Sequence, residues 1–164
     1  MTIAITNMVA SARDLRIWAA TAKPRDFVTY HVGLVAQDRA TNPGLHELAE
    51  LVRLLQETGW LIGSTKRIAM AAVEGFAYFA TRTGGGYAPR CILNASLSPR
   101  EYRAMCAIRD RIGYSSAQRA VRDALSCGED ESADLLALLY ARGWVEAAPE
   151  KGFQVSATGL AAML

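Results

Sequence analysis

Leu45, Leu48, Val52 and Leu55 recur at i, i+3, i+7 and i+10, one face of an amphipathic helix. Gly59 ends that helix as a natural left-handed exit residue. Upstream, Ser11-Ala12-Arg13-Asp14 has capping-box-like spacing and predicts a helix over 12–21, with Leu15 and Trp18 on one face. Lys23-Pro24-Arg25-Asp26 breaks it. Residues 27–36 (FVTYHVGLVA) are rich in β-branched and aromatic types and predict a strand, followed by a turn at Thr41-Asn42-Pro43-Gly44. Trp60-Leu61-Ile62 opens another strand. A basic Gly63-Ser64-Thr65-Lys66-Arg67 wing follows, and Gly75 to Ala80 returns as its partner.

The pattern then turns helical. Ser98-Pro99-Arg100-Glu101 places Ser at the N-cap, Pro at N1 and Glu at N3, a strong start for a helix reaching about Ile112 and stopping at Gly113. Ser115 or Ser116 caps a second helix over 117–126. Gly128-Glu129-Asp130-Glu131-Ser132 leads into a third, over 133–142, which Gly143 ends. Trp144-Val145-Glu146 and Phe153 to Ser156 form a hairpin across Pro149-Glu150-Lys151-Gly152, and Thr158 is the expected cap of a short final helix.

The two halves echo each other. Leu54-Leu55-Gln56-Glu57-Thr58-Gly59-Trp60-Leu61 and Leu138-Leu139-Tyr140-Ala141-Arg142-Gly143-Trp144-Val145 share a Leu-Leu, three-residue, Gly-Trp-aliphatic exit. Each continues to a turn and a Gly-Phe pair, Gly75-Phe76 and Gly152-Phe153. Residues 98–164, with three capped helices, the Gly-Trp exit and Ser156-Ala157-Thr158-Gly159, resemble the winged helix-turn-helix domains of MarR-type bacterial regulators. Residues 27–83 look like a second, degenerate winged-helix unit with a longer wing. Tyr30 to Ala36 (YHVGLVA), followed by Asp38-Arg39, loosely resembles a family of small phage and prophage proteins. The fold expected is α+β: two small winged-helix-like units in tandem, mostly helical, with short antiparallel hairpin wings. The units span 1–83 and 98–164, joined by a glycine-rich linker at 84–97.

Composition narrows the function classes. The 164 residues are 51% hydrophobic and 21% charged, a normal soluble balance, and the formal net charge is only +2. That excludes a strongly basic nucleic-acid-coating protein. No apolar run approaches the length needed to span a bilayer, and no signal peptide is read at the N-terminus. The expected setting is cytoplasmic and reduced, since Cys91, Cys106 and Cys127 are scattered and odd in number. With only His31 and His46 beside them, no zinc spacing exists, so neither metal nor cofactor is expected. Arginine (15) far exceeds lysine (3), and Ala is the commonest residue, as in a GC-rich bacterial or phage genome.

The small net charge is a sum of unlike parts. Residues 1–97 carry 10 basic and 7 acidic side chains; residues 98–164 carry 8 and 9. Ser64, Thr65, Lys66 and Arg67, with Arg82 and Arg90 near in sequence, combine hydroxyls and cations suited to phosphate contact without sequence reading. The plain alternative is a solvated hairpin tip. The resemblance to MarR-type regulators implies that the third helix reads the major groove, but Glu129, Asp130, Glu131 and Asp134 at its start would repel phosphate. These four residues are the candidate protein interface, against the plain alternative of a well-capped helix start. Arg142, at the far end, is that helix's single base. Gly84-Gly85-Gly86 lacks the Lys-Ser/Thr of a phosphate loop, and no catalytic constellation stands out. A non-enzymatic nucleic-acid-binding or transcription-regulator-like protein is therefore expected. The alternative is a phage-type inhibitor of a host nucleoprotein machine, such as an anti-CRISPR protein, using the winged helices as scaffold. Partners are nucleic acid or a host protein complex rather than a membrane, and residues 1–22 or 158–164 are the candidate homodimer segments.

Overall fold

Ser11, extended at φ −145° and ψ 163°, accepts the Asp14 amide and starts α1 (Ala12–Thr21), which buries Ala12, Leu15 and Ala19. In the computed structural model, residues 7–69, 74–111, 114–149 and 152–164 are described. The chain divides between Ala88 and Pro89 into two compact units. Both are α+β, with a small antiparallel sheet each.

In the first unit α1 leads to β1 (Phe27–Gly33), α2 (Val35–Thr41), α3 (Pro43–Glu57), β2 (Leu61–Ala69) and β3 (Glu74–Arg82). The sheet order is β1-β3-β2, so β3 is central. The helical face predicted from Leu45 to Leu55 is the buried face of α3, and it packs on α1 and β2. Asn42 caps α3 through the Leu45 amide and Pro43 takes the first helical position. Gly59 leaves the helix at φ +74°.

Two local expectations are corrected here. The strand expected over 27–36 stops at Gly33, and Val35 and Ala36 begin α2 instead. Gly33 turns the backbone to φ +142°, and the Asp38 carboxylate then accepts the Leu34 amide at 2.9 Å, which favours helix over strand. The basic Ser64–Arg67 segment is not a tip. It lies inside β2, paired with Phe79 through Phe76 of β3. The turn joining these strands falls at 70–73, outside the described residues.

The second unit contains α4 (Arg90–Leu93), α5 (Pro99–Arg109), α6 (Ala117–Leu125), α7 (Glu129–Ala141), β4 (Val145–Ala148), β5 (Gly152–Val155) and α8 (Ala157–Ala162). The Ser98 capping box forms in full: Ser98 accepts the Glu101 amide and Glu101 accepts the Ser98 amide. α5 ends at Arg109, earlier than expected, with Asp110 as its C-cap; Ile112 and Gly113 lie outside the described residues. Ser116 caps α6. α7 already includes the acidic residues expected to precede it. Ser156, not Thr158, caps α8 by accepting the Gly159 amide. Residues 150 and 151 of the expected hairpin turn lie outside the described residues.

The expected linker, 84–97, is shared between the units. Tyr87 donates its amide to the Thr58 carbonyl and Gly86 lies against the Gly59 backbone. Beyond the boundary, Cys91, Ile92 and Leu97 are buried in the second unit. No helix among the described residues is long and apolar enough to cross a membrane.

Candidate nucleic-acid interface

Side chains alternate across a strand, so the four predicted contact residues of β2 split between two faces. Thr65 and Arg67 stand opposite Tyr78 and Phe76 of β3. Ser64 and Lys66 stand opposite Phe79 and Ala77. All four are exposed, and β2 is an edge strand. The residues share the strand's edge rather than one patch. Among the described residues, Lys66 makes no ion pair.

Arg82 is not with them. Its guanidinium carbon sits 3.1 Å from the centre of the Trp60 ring. Its Nη1 donates to the Gly85 carbonyl at 3.1 Å and to the Thr83 carbonyl, and its Nε is buried with no hydrogen-bond partner. Thr83 Oγ1 in turn donates to the Gly59 carbonyl at 2.6 Å. This arginine closes the Gly-Trp exit from α3 and is consumed there. Arg90 is exposed at the start of α4, in the other unit.

The acidic set is exposed along the start of α7, but its members differ. Glu131 pairs with Arg100 of α5, and that hydrogen bond and charge hold its carboxyl below the usual range. The Glu129 carbonyl accepts from Gln118 at 3.2 Å and from Ser132 at 2.7 Å. Arg142, the helix's one base, reaches Glu101 Oε1 at 2.5 Å and stacks near Trp144. Its charge therefore supports the α5 capping box instead of facing outward alone.

Three features escaped the sequence reading. Phe27 and Phe79 meet edge to face, their ring centres 6.2 Å apart, with Phe27 49% exposed and Ile62 61% exposed nearby in register. On the opposite face, Tyr30, His31 and Phe76 gather around Tyr78 at ring distances of 6.0, 5.8 and 6.4 Å. Burial, with Tyr78 beside it, pushes the Tyr30 phenol up. Third, His31 bonds Asp38, which fixes the β1–α2 joint. Alternation of types in 27–36 held a signal for the first two, but only the register shows which rings meet.

Among the described residues no group of His, Cys, Asp and Glu is arranged to hold a metal, and the three cysteines are free thiols. Burial pushes the Cys91 and Cys106 thiols up, away from the reactive thiolate. No protein-family model, curated protein or solved structure matches the chain.

Proposed function

We propose that the chain is a non-enzymatic nucleic-acid-binding protein, built from two winged-helix-like units, that contacts phosphate along the edge of β2. The winged-helix reading is supported by element order. Helix, strand, two helices and a hairpin follow one another in the first unit, with the early strand pairing to the hairpin's second strand. In the second unit the one-turn α4 and then three longer helices, α5 to α7, precede a hairpin.

The observation that carries the functional reading is Lys66: exposed, on an edge strand, and without an ion pair among the described residues. A phosphodiester lying along that edge meets Lys66 from one face and Arg67 from the other, with the Ser64 and Thr65 hydroxyls further along the same strand. The helices placed to read a major groove are poorly suited to it. α3 carries Glu47, Glu50 and Glu57 against Arg53 alone, and Arg53 already pairs with Glu57 at 3.1 Å. α7 presents Glu129, Asp130 and Asp134. Binding through the wing without base reading fits this charge distribution.

A salt titration of the whole chain on labelled DNA tests the reading. Two cations on phosphate give a slope of log K against log salt of about −1.4 to −1.8. Lys66→Glu abolishes binding. Absence of binding to both duplex and single-stranded DNA at low salt rejects it.

One observation favours the second reading, a protein–protein inhibitor or adaptor of phage type. α7 exposes acids at its start and Leu138 and Tyr140 towards its end, a combination that suits a basic, apolar protein surface better than phosphate. Capture of a host protein that Asp130→Arg and Leu138→Asp release, with no DNA binding, selects this reading.

A further inference from the structure

We infer that the nucleic acid taken by the first unit is single-stranded, and that it stacks on the exposed part of the sheet face bearing Phe27, Phe79 and Lys66. The inference rests on the phosphate-binding reading above and names its substrate class. The β1-β3-β2 sheet has two unlike faces. One carries Val28, Leu61 and Ala80, all buried, and at Gly63 an added Cβ would run into Gln56 of α3. The other carries Phe27 and Ile62, both opposite Thr81 and both exposed, with exposed Ser64 and Lys66 along its β2 side, while Thr29 and Ala77 on the same face are buried.

Register lays out a track on this second face. Phe79 lies two residues from Thr81, which pairs with Phe27, and two from Ala77, which pairs with Lys66. Phe79 is therefore the diagonal neighbour of both. A line from Phe27 through Phe79 to Lys66 crosses all three strands, from open ring to ring edge to cation. Ser64 stands opposite Phe79 and adds a hydroxyl beside the line. None of the strand positions on this face is acidic.

That combination has a specific chemical fit. Every base presents a π-face, so aromatic stacking is tolerant of sequence, while a cation tracks the backbone. In a duplex the base faces are already stacked on one another and unavailable to Phe27. A purely apolar protein partner would make no use of Lys66, and a purely electrostatic duplex contact would make no use of Phe27.

The experiment is fluorescence anisotropy of the full chain with a labelled oligothymidylate and, separately, a duplex of equal length at low salt. Phe27→Ala, Phe27→Leu and Lys66→Glu are compared, and the mass of the free protein is measured in solution alongside. The single strand is expected to bind at least about tenfold more tightly than the duplex. Phe27→Ala and Phe27→Leu should each lose about tenfold on the single strand and leave duplex affinity unchanged. Phe27→Leu keeps the apolar bulk, so full retention of affinity by that variant overturns the stacking role. Equal or tighter duplex binding also overturns it, as does a wild-type dimer that Phe27→Ala turns into a monomer. If Lys66→Glu removes binding while both Phe27 variants are silent, the phosphate reading stands and this inference fails. If no nucleic acid binds, both fail.

Discussion

The Nε2 of His31 and the Oδ2 of Asp38 stand 2.7 Å apart across the joint between β1 and α2. A carboxylate can only accept, so the ring nitrogen donates. The same oxygen accepts the Leu34 amide. One side chain thus ends a strand and starts a helix, seven residues from its partner.

This joint makes acid stability depend on Asp38. The His31 hydrogen bond, and next the Leu34 amide, hold its carboxyl below the ordinary range. A carboxyl depressed in the folded state adds stability above its unfolded pKa, about 3.9, and loses it as pH falls through the folded value. Asp38→Asn should lower the urea midpoint at pH 6 and flatten its fall below about pH 4. Parallel acid limbs for variant and wild type would contradict this.

Gly33 is the joint's steric requirement. A Cβ at Gly33 would lie 2.5 Å from Asp38 Oδ2 and 2.9 Å from His31 Nε2, at φ +142°. Gly33→Ala should destabilise the first unit by about 1–3 kcal/mol, measured by urea unfolding. Combined with Asp38→Asn it should cost less than the sum, because the groups it strains are already uncoupled.

Arg82 should behave as a structural residue, not a phosphate ligand. Arg82→Lys loses the flat stack on Trp60 and the forked donation to Thr83 and Gly85, at about 2 kcal/mol. Where the variant remains folded, the salt slope of DNA binding should match wild type. Lys66→Gln should instead reduce the slope by about 0.7–0.9 and leave the melting temperature nearly unchanged.

In the second unit Glu101 serves two masters at once, the Ser98 amide at 2.8 Å and Arg142 of the α7 exit. Glu101→Ala should cost about 1–2 kcal/mol in thermal unfolding, since Glu101 is buried while Arg142 is half-exposed and discounts the ion pair. Arg142→Lys should cost less than Glu101→Ala, because the capping box survives it.

Local chemistry is legible in the sequence. The Ser98 capping box, the Ser116 cap, the amphipathic face from Leu45 to Leu55 and both Gly-Trp exits involve residues within a turn or two of each other. Their energetics are set by neighbours in sequence. The misread strand at Val35-Ala36 marks the limit. Val35 extends a β-branched and aromatic run that favours a strand, and the Asp38 carboxylate, three residues further on, decides otherwise.

The candidate site was legible as residues and not as an arrangement. Ser64, Thr65, Lys66 and Arg67 are consecutive in sequence, and the strand's alternation divides them between two faces. Arg82 looked like a fifth contact, but Trp60, 22 residues away, captures it. Glu131 looked available, but Arg100, on another helix, neutralises it. Caps, periodicity and composition act locally, so residue order alone places most turns, helices and strands and the charged stretches. Strand register and ion pairing join residues far apart along the chain, so it takes the folded arrangement to set which charges remain outward and to put Phe27, Phe79 and Lys66 on one diagonal.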